Sequence, residues 1–522
     1  MSLSLLLALA CTTQNHLLVD PLLVTQATEV WSLIAAKKNP IWPGWDASKT
    51  PLLIYLPGKQ DVLINHPKPP AGFVPYEGPI KFPGGRMFIK NGPTLIDFDG
   101  QNTSMDVNGV QTLVVADTLS NRRQTVESLA EQARSTPDIR SALDAGLSPN
   151  PLDSMLMFAH EAFHVFQFAA APNKGGNEMA LTTYPQLSVE NNAGYDLEAH
   201  ALAQALRASN PRPAAVQWLA IRQKRRSGLD EKQIAYEDGT EFNEGLAKYI
   251  EWKALEVLRG RRPSRDMWLV QGFRGYAESA AEQDRLLSMM TSMMSGKVNV
   301  NNDPYGASPV RMRLYYSGMA VAALLDRLGA TWKVSILREG TTLTGLAAQA
   351  IRASSRELEQ AWQEVSASAA YTNAISVRKQ LAVAGDVHIQ QVLAGFDSAP
   401  GVVVLDTTAL RAPRIGFSFT PFGILRVDDQ RRVFRLLPVR GVVDRLSFSE
   451  DSARPVLDDR AARSVVLTLT ATMTEEKLDT IAPGWRNGPA TYDELTLPGV
   501  TLKKVKGTIR LDGKRLVVSL QD

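Results

Sequence analysis

The sequence predicts an α+β chain of several domains, with a β-rich N-terminal part, a mostly helical middle and an all-β C-terminal part. Three observations carry this. The chain has 522 residues, too many for one hydrophobic core. Its centre repeats apolar residues at i, i+3, i+4 and i+7. Both flanks instead hold short apolar runs broken by Pro, Gly and Asp. A hydrophobic fraction of 44% and a charged fraction of 21% are those of a folded chain. The net charge of +3 makes no electrostatic case for a nucleic-acid partner.

Residues 1–20 read as an export segment. LSLLLALA (Leu3 to Ala10) is too short to span a bilayer, and it ends at Cys11, the one cysteine of the chain. Ala8 and Ala10 stand where small residues precede a cleavage site. A cysteine just after such a site resembles a bacterial lipoprotein signal, which implies lipidation of Cys11 and attachment to a membrane. The segment lacks a Lys or Arg before the apolar run, and a cytosolic apolar N-terminus is the competing reading.

Residues 21–118 alternate PLLIYLPG, DVLINH, RMFIKNGP, TLIDFDG and VQTLVVAD with turn signals such as Asn91-Gly92 and Asp99-Gly100. That is a β-rich pattern. IWPGW (Ile41 to Trp45) reads as a rigid aromatic packing plug. Residues 119–385 turn helical, through TVESLAEQAR, GYDLEAHALAQALRA, GTEFNEGLAKYIEWKALEVL and YYSGMAVAALLDRL. The basic runs RQKRR (Arg222 to Arg226) and RGRRPSR (Arg259 to Arg265) read as solvated helix ends and a turn. Residues 386–522 become strand-like again, as in VVVLDTT, RVFRLLPV, RSVVLTLTATM and LVVSLQ.

The chemistry concentrates in MLMFAHEAFHVFQF (Met155 to Phe168). Asn150-Pro151 is a helix start. His160 and His164, four apart, lie on one helix face and can reach one metal ion, and Glu161 can lean over its open side to accept a proton from bound water. The competing reading is a buried structural pair of histidines. The apolar flanks bury this helix, however, and buried His and Glu without partners cost several kcal/mol. A catalytic zinc site needs a third protein ligand, and Glu198, His200 and Glu244 are the candidates downstream.

FNEGLAKYIEW resembles the NEG-small-Ala helix of the gluzincin metallopeptidases, particularly the aminopeptidase-N-like family. The order HEAFHVFQ, LEAHALAQAL, NEGLAKY and YYSGMAVAALLDRL also resembles a group of bacterial predicted zinc peptidases, over most of Leu152 to Trp332. The resemblance implies a zincin-like catalytic domain holding Zn2+ through His160, His164 and Glu244, with Glu161 as general base. By position Tyr315 would meet the oxyanion, and Arg311 and Arg313 would bind a substrate carboxylate; the competing reading is tyrosines packed at a helix start with the arginines in solvent. VQTLVVAD would be an edge strand pairing with an extended substrate, or else an interior strand.

The chain departs from the family at three points. Glu244 follows His164 at a separation far beyond the family's spacing, so an insertion containing Glu198 must loop out between them. The amino-terminus-binding G-x-M-E-N-like segment is absent, which leaves aminopeptidase activity unsupported. Lys248 stands where thermolysin-like enzymes place an aspartate that orients a histidine, so that carboxylate must come from Glu241, Asp238 or Glu251. Glu198 and His200, two apart, point to different faces and do not form one site. Glu198 either holds the free N–H of a ligand histidine, pairs with a basic residue, or replaces Glu244 as third ligand.

The expected activity is therefore a zinc-dependent metallohydrolase, a peptidase acting on peptide or protein substrates outside the cytoplasm. The rival reading is a non-catalytic envelope scaffold or binding protein that keeps a zincin core. The oligomeric state is not legible in the sequence.

Overall fold

In a computed structural model of the chain, residues 16–35, 39–82, 85–100, 102–135, 150–298 and 303–521 are described. Cys11 and the apolar segment before it lie outside these residues. The architecture is α+β, with sheets at both ends of a helical centre.

The first element is a helix. α1 (Pro21–Ile34) opens on Asp20, whose side chain accepts from the Leu22 amide, with proline in the first turn. This corrects the β reading of residues from Pro21 onward. The period-3.6 spacing of Leu23, Ala27, Val30, Trp31 and Ile34, all buried, is that of an amphipathic helix.

Six strands follow: β1 (Leu52–Leu56), β2 (Gln60–Ile64), β3 (Val74–Pro75), β4 (Met87–Asn91), β5 (Thr103–Val107) and β6 (Val110–Ala116). They form one sheet in the order β3-β4-β2-β1-β6-β5, antiparallel except for the parallel β1–β6 pair. Leu52, Ile54, Leu113 and Val115 face the main core, and Leu53, Tyr55, Val114 and Ala116 a smaller core on the other side. Burial on both faces is why these strands are continuous apolar runs rather than alternating ones. β6 lies between β1 and β5, so VQTLVVAD is an interior strand and cannot take up a substrate at an edge.

The helical centre contains α2 (Thr118–Ser135), α3 (Pro151–Ala170), α4 (Val189–Arg207), α5 (Arg212–Arg226) and α6 (Glu231–Thr240). A π-helical turn at Glu241–Gly245 leads from α6 into α7 (Leu246–Leu258). Then come α8 (Ser279–Met294), α9 (Ala307–Arg327), α10 (Leu343–Ile351), α11 (Ser355–Ser366) and α12 (Ala369–Ser398). α12 runs through residue 386, where the sequence places a boundary, and the C-terminal strands begin only at Gly401. The IWPGW loop packs on the back of α3. Trp42 and Trp45 are fully or almost fully buried, with ring centroids 4.9 and 5.2 Å from Phe163.

The C-terminal strands, from β7 (Gly401–Asp406) to β17 (Arg515–Leu520), form one curled mixed sheet. Its β8 (Ile415–Ser418) is a terminal strand, and β10 (Arg431–Phe434) is next to the last at the opposite end. Phe417 of β8 nevertheless lies 4.5 Å between ring centroids from Phe434 of β10, which brings the two ends of the sheet together.

Asp61 on β2 is a test of the N-terminal sheet. It is fully buried; Oδ2 accepts from the Leu95 amide at 3.0 Å and Oδ1 has no partner among the described residues. Burial pushes its carboxyl up from 3.8 to about 6. The folded state therefore holds the proton more tightly than the unfolded one. The contribution of Asp61 to stability is greatest below pH 4, falls between pH 4 and 6, and levels off above. The loss across this window is about 2–3 kcal/mol. Asp61→Asn is expected to flatten this stretch of the stability profile in urea titrations at pH 4 to 7; an unchanged slope would show that Asp61 is not its source.

Candidate metal centre

α3 starts where Asn150 and Pro151 place it, with the Asn150 side chain accepting from the Leu152 amide. Its turn at residues 160–164 presents both histidines to the π-helical turn between α6 and α7. Nε2 of His160 lies 3.8 Å from Oε2 of Glu244, and Nε2 of His164 lies 3.5 Å from the same oxygen. One donor atom from each of His160, His164 and Glu244 thus falls within a cluster spanning 4.8 Å. These three are the only such grouping of His, Cys, Asp or Glu among the described residues.

The outer nitrogens of both rings are held. Nδ1 of His160 is 2.7 Å from Oε1 of Glu251, and Nδ1 of His164 is 2.9 Å from Oε1 of Gln167. An acceptor on Nδ1 fixes the tautomer that leaves the Nε2 lone pair facing inward, as metal-ligating histidines require. Glu251 is itself held by Lys248 (2.8 Å), and Gln167 donates to the Phe242 carbonyl (2.8 Å). Lys248 therefore supports the orienting carboxylate, which comes from Glu251 one turn further on. Glu241 and Asp238 turn elsewhere. Gln167 does not stand out in the sequence, although its spacing of three from His164 places it on the same helix face.

The charges within the cluster are coupled. Burial opposes protonation of His160, but hydrogen bonds to Glu244 and Glu251 raise it to about 9. Burial likewise opposes ionisation of Glu251, and Lys248 and His160 outweigh it, holding the carboxyl at about 2. Glu244 is held far below the usual carboxylate range by both histidines and Arg311, against its burial. A divalent ion entering the cluster would displace the proton that His160 holds, and two imidazole nitrogens with one carboxylate are a donor set that suits an ion of borderline softness such as zinc, with a position left for water.

Glu161 is half-buried on the next position of α3, and its side chain makes no hydrogen bond among the described residues. On α9, Arg311 donates to Oε1 of Glu244 (3.1 Å) and to the Tyr315 hydroxyl (3.0 Å), and pairs with Glu178 (3.2 Å). Burial and the Glu244 charge push the Tyr315 phenol well up, so it stays protonated. Arg311 is thus committed to the carboxylates of Glu244 and Glu178. The C-terminal part also reaches this place, because the Phe422 ring lies 5.2 Å under the Arg311 guanidinium. Glu178 and Phe422 carry no local sequence signal; only the fold brings them here.

The remaining candidates lie apart from the cluster. Glu198 is fully buried between Arg222 (2.8 Å) and Arg225 (2.6 Å), an ion-pair partner and neither a ligand nor a support of the histidines. Glu241 is held by Arg222 (2.8 Å) and Ser317. Glu237 accepts from Arg225 (2.7 Å), Arg226 (2.8 Å), Tyr184 (2.5 Å) and Tyr195 (2.9 Å), and Asp238 pairs with Arg226 (2.8 Å). Arg222, Arg225 and Arg226 are buried. This corrects the reading of RQKRR as a solvated helix end: the run looks surface-like only because its carboxylate partners lie elsewhere in the chain. Arg313 is buried against Asn192 and does not touch the cluster. His200 is exposed and faces Asp196 at 3.7 Å.

Glu251→Ala is expected to lower metal affinity about 10–100-fold, measured by competition with a zinc-sensitive dye, while leaving the far-ultraviolet spectrum unchanged. Unaltered affinity would remove Glu251 from the site. Arg222→Met leaves Glu241 with Arg226, at 3.7 Å, as its only cation and Glu198 with Arg225 alone, and chemical denaturation should show a loss of about 3–5 kcal/mol. A much smaller loss would mean that the ion pairs do not hold α4, α5 and the π-helical turn in place.

No protein-family model, no curated protein and no solved structure matches the chain.

Proposed function

We propose that the protein is a zinc-dependent metallohydrolase, a peptidase of the gluzincin type. The observation that carries this reading is the convergence of His160, His164 and Glu244 on one point, with Glu161 on the adjacent helix position. A purely structural zinc site favours four protein ligands and has no use for a glutamate beside it. Bound there, zinc would supply a Lewis acid and an acidified water.

The chain's own residues do the rest. Glu251 and Gln167 hold the two imidazoles so that their Nε2 atoms face inward. Arg311 keeps one oxygen of Glu244 engaged and leaves the other for the metal position. Glu161 takes the proton of the attacking water and delivers it to the leaving nitrogen. The Tyr315 hydroxyl accepts from Arg311 and gives its own hydrogen to Glu244; turned from that carboxylate toward a substrate, it would meet the developing oxyanion. The aromatic and aliphatic side chains around α3 keep bulk water from the ligands' back side, where every polar interaction is stronger. LSLLLALAC keeps export to the cell envelope as the expected location, with Cys11 as the point of lipid attachment.

Glu161→Gln should lower hydrolysis of a mixed peptide library by at least about 10²-fold while metal analysis still finds one zinc per chain; Glu244→Ala should lose the metal. Full activity in Glu161→Gln would refute the mechanism. Wild-type protein with stoichiometric zinc that cleaves no peptide, before or after chelation, would instead favour the envelope scaffold.

A further inference from the structure

The segment from Arg259 to Tyr276 lies between α7 and α8 and contributes no residue to the metal cluster. It opens with the basic run RGRRPSR and continues through DMWLVQGFRGY. Trp268 and Leu269 close a single 3-10 turn (Asp266–Leu269) and are 56% and 68% exposed.

The turn is braced, so this exposure is built into the fold. Met267 and Val270, on either side of the pair, are buried in the main core. The Trp268 ring meets Phe273 edge-on at 5.3 Å between centroids, and Phe273 meets Tyr276 at 5.4 Å. Gly275, at φ +103°, lets the indole lie over the backbone, since a Cβ there would stand 3.2 Å from its Cη2. Glu29 on α1 ties the segment down by accepting from the Ser264 amide and the Tyr276 hydroxyl, both at 2.9 Å.

The surroundings of the pair are basic. Arg259, Arg261, Arg262, Arg265 and Arg274 are all exposed, and the segment's neighbouring acids are Asp266 and Glu278. Arg259 donates to Gln283, Arg261 donates to Ser32, and Arg274 lies 3.8 Å from Glu278. The side chains of Arg262 and Arg265 have no partner among the described residues. Single exposed apolar residues are ordinary, but a braced adjacent pair among unpaired like charges marks a contact surface.

We propose that this segment docks the protein on an anionic phospholipid surface, with Trp268 and Leu269 entering the headgroup boundary and Arg262 and Arg265 meeting lipid phosphates. Indole rings favour that boundary, and each arginine near an anionic leaflet adds attraction. The two apolar side chains offer an area on the order of 250 Å². Each partner of a stable protein complex contributes roughly 800 Å². A bilayer demands no matching surface, because its lipids rearrange around whatever apolar tip enters. A nucleic acid would satisfy the arginines but leave Leu269 in water. The proposal depends neither on the hydrolase reading nor on a lipid at Cys11.

The test is sedimentation of the full chain with vesicles, in a Cys11→Ala background so that no lipid on the chain contributes. This parent should bind phosphatidylcholine vesicles containing about 30% phosphatidylglycerol at least about tenfold more tightly than pure phosphatidylcholine, and raised salt should erase most of the preference. Arg262→Gln together with Arg265→Gln should weaken binding about tenfold or more. Leu269→Glu should weaken it to a similar extent at unchanged Tm, because the side chain it replaces is mostly in solvent. No binding, equal binding to both vesicles, or either variant binding as well as the parent overturns the proposal. So does a chain that ignores vesicles and dimerises instead, with the dimer lost in Leu269→Glu by analytical ultracentrifugation.

Discussion

The buried pairing of Arg222 with Glu198 and Glu241 is the constraint on which the cluster of His160, His164 and Glu244 depends. Glu241 opens the π-helical turn that also contains Glu244, and Arg222 grips it with two nitrogens at 2.8 and 3.0 Å. Arg222 belongs to α5, within the long segment that separates Glu244 from the histidines. That segment therefore carries the anchor of Glu244. A π-helical turn is an energetically unfavourable way to run a helix and is seen chiefly where it aims a functional group. Here the ion pairs over-determine it. Burial of full charges gives little net stability, but removal of any one partner leaves its neighbours stranded, so the arrangement is specified rather than merely favoured.

A second contact fixes the other side of Glu244. Gly245 and Gly318 meet where the π turn crosses α9, and a Cβ on Gly245 would come within 2.6 Å of the Gly318 Cα. Only two glycines let the backbones approach this closely. The closeness brings Arg311 and Tyr315 up to the carboxylate. The C-terminal sheet closes the remaining side through Phe422, whose carbonyl accepts from Ser308 and whose ring lies against Arg311. Three distant parts of the chain thus meet around a single glutamate.

Much of the fold is legible in the sequence because its signals are local. The start of α3, the 3.6 periodicity of α4, α7 and α9, and the strand runs on both flanks are all properties of short windows. The sequence misleads in two ways. α1 is misplaced because the Pro- and Gly-rich strands that follow it set the reading of the whole region, although its own spacing is helical; the end of α12 is misplaced because that helix buries only a few of its 30 residues. RQKRR looks like surface because a charge's partner is invisible until the chain folds. In the site, Glu251 is one of several carboxylates that could orient a histidine, and nothing in spacing alone chooses it. Lys248 and the rotation introduced by the π turn make that choice.

By itself the sequence determined the helix that carries His160, Glu161 and His164, because ligands four apart on one apolar helix follow from helical geometry alone. It also determined the class of each region, since periodicity and turn residues act over a few positions. Tertiary structure alone decided that Glu244 faces the histidines while Glu198 faces Arg222 and Arg225, and that Arg311 serves carboxylates of the chain itself. Each of these rests on charges brought together across long sequence separations. The energy of a charge depends on its burial and its neighbours, and both exist only after the chain has folded.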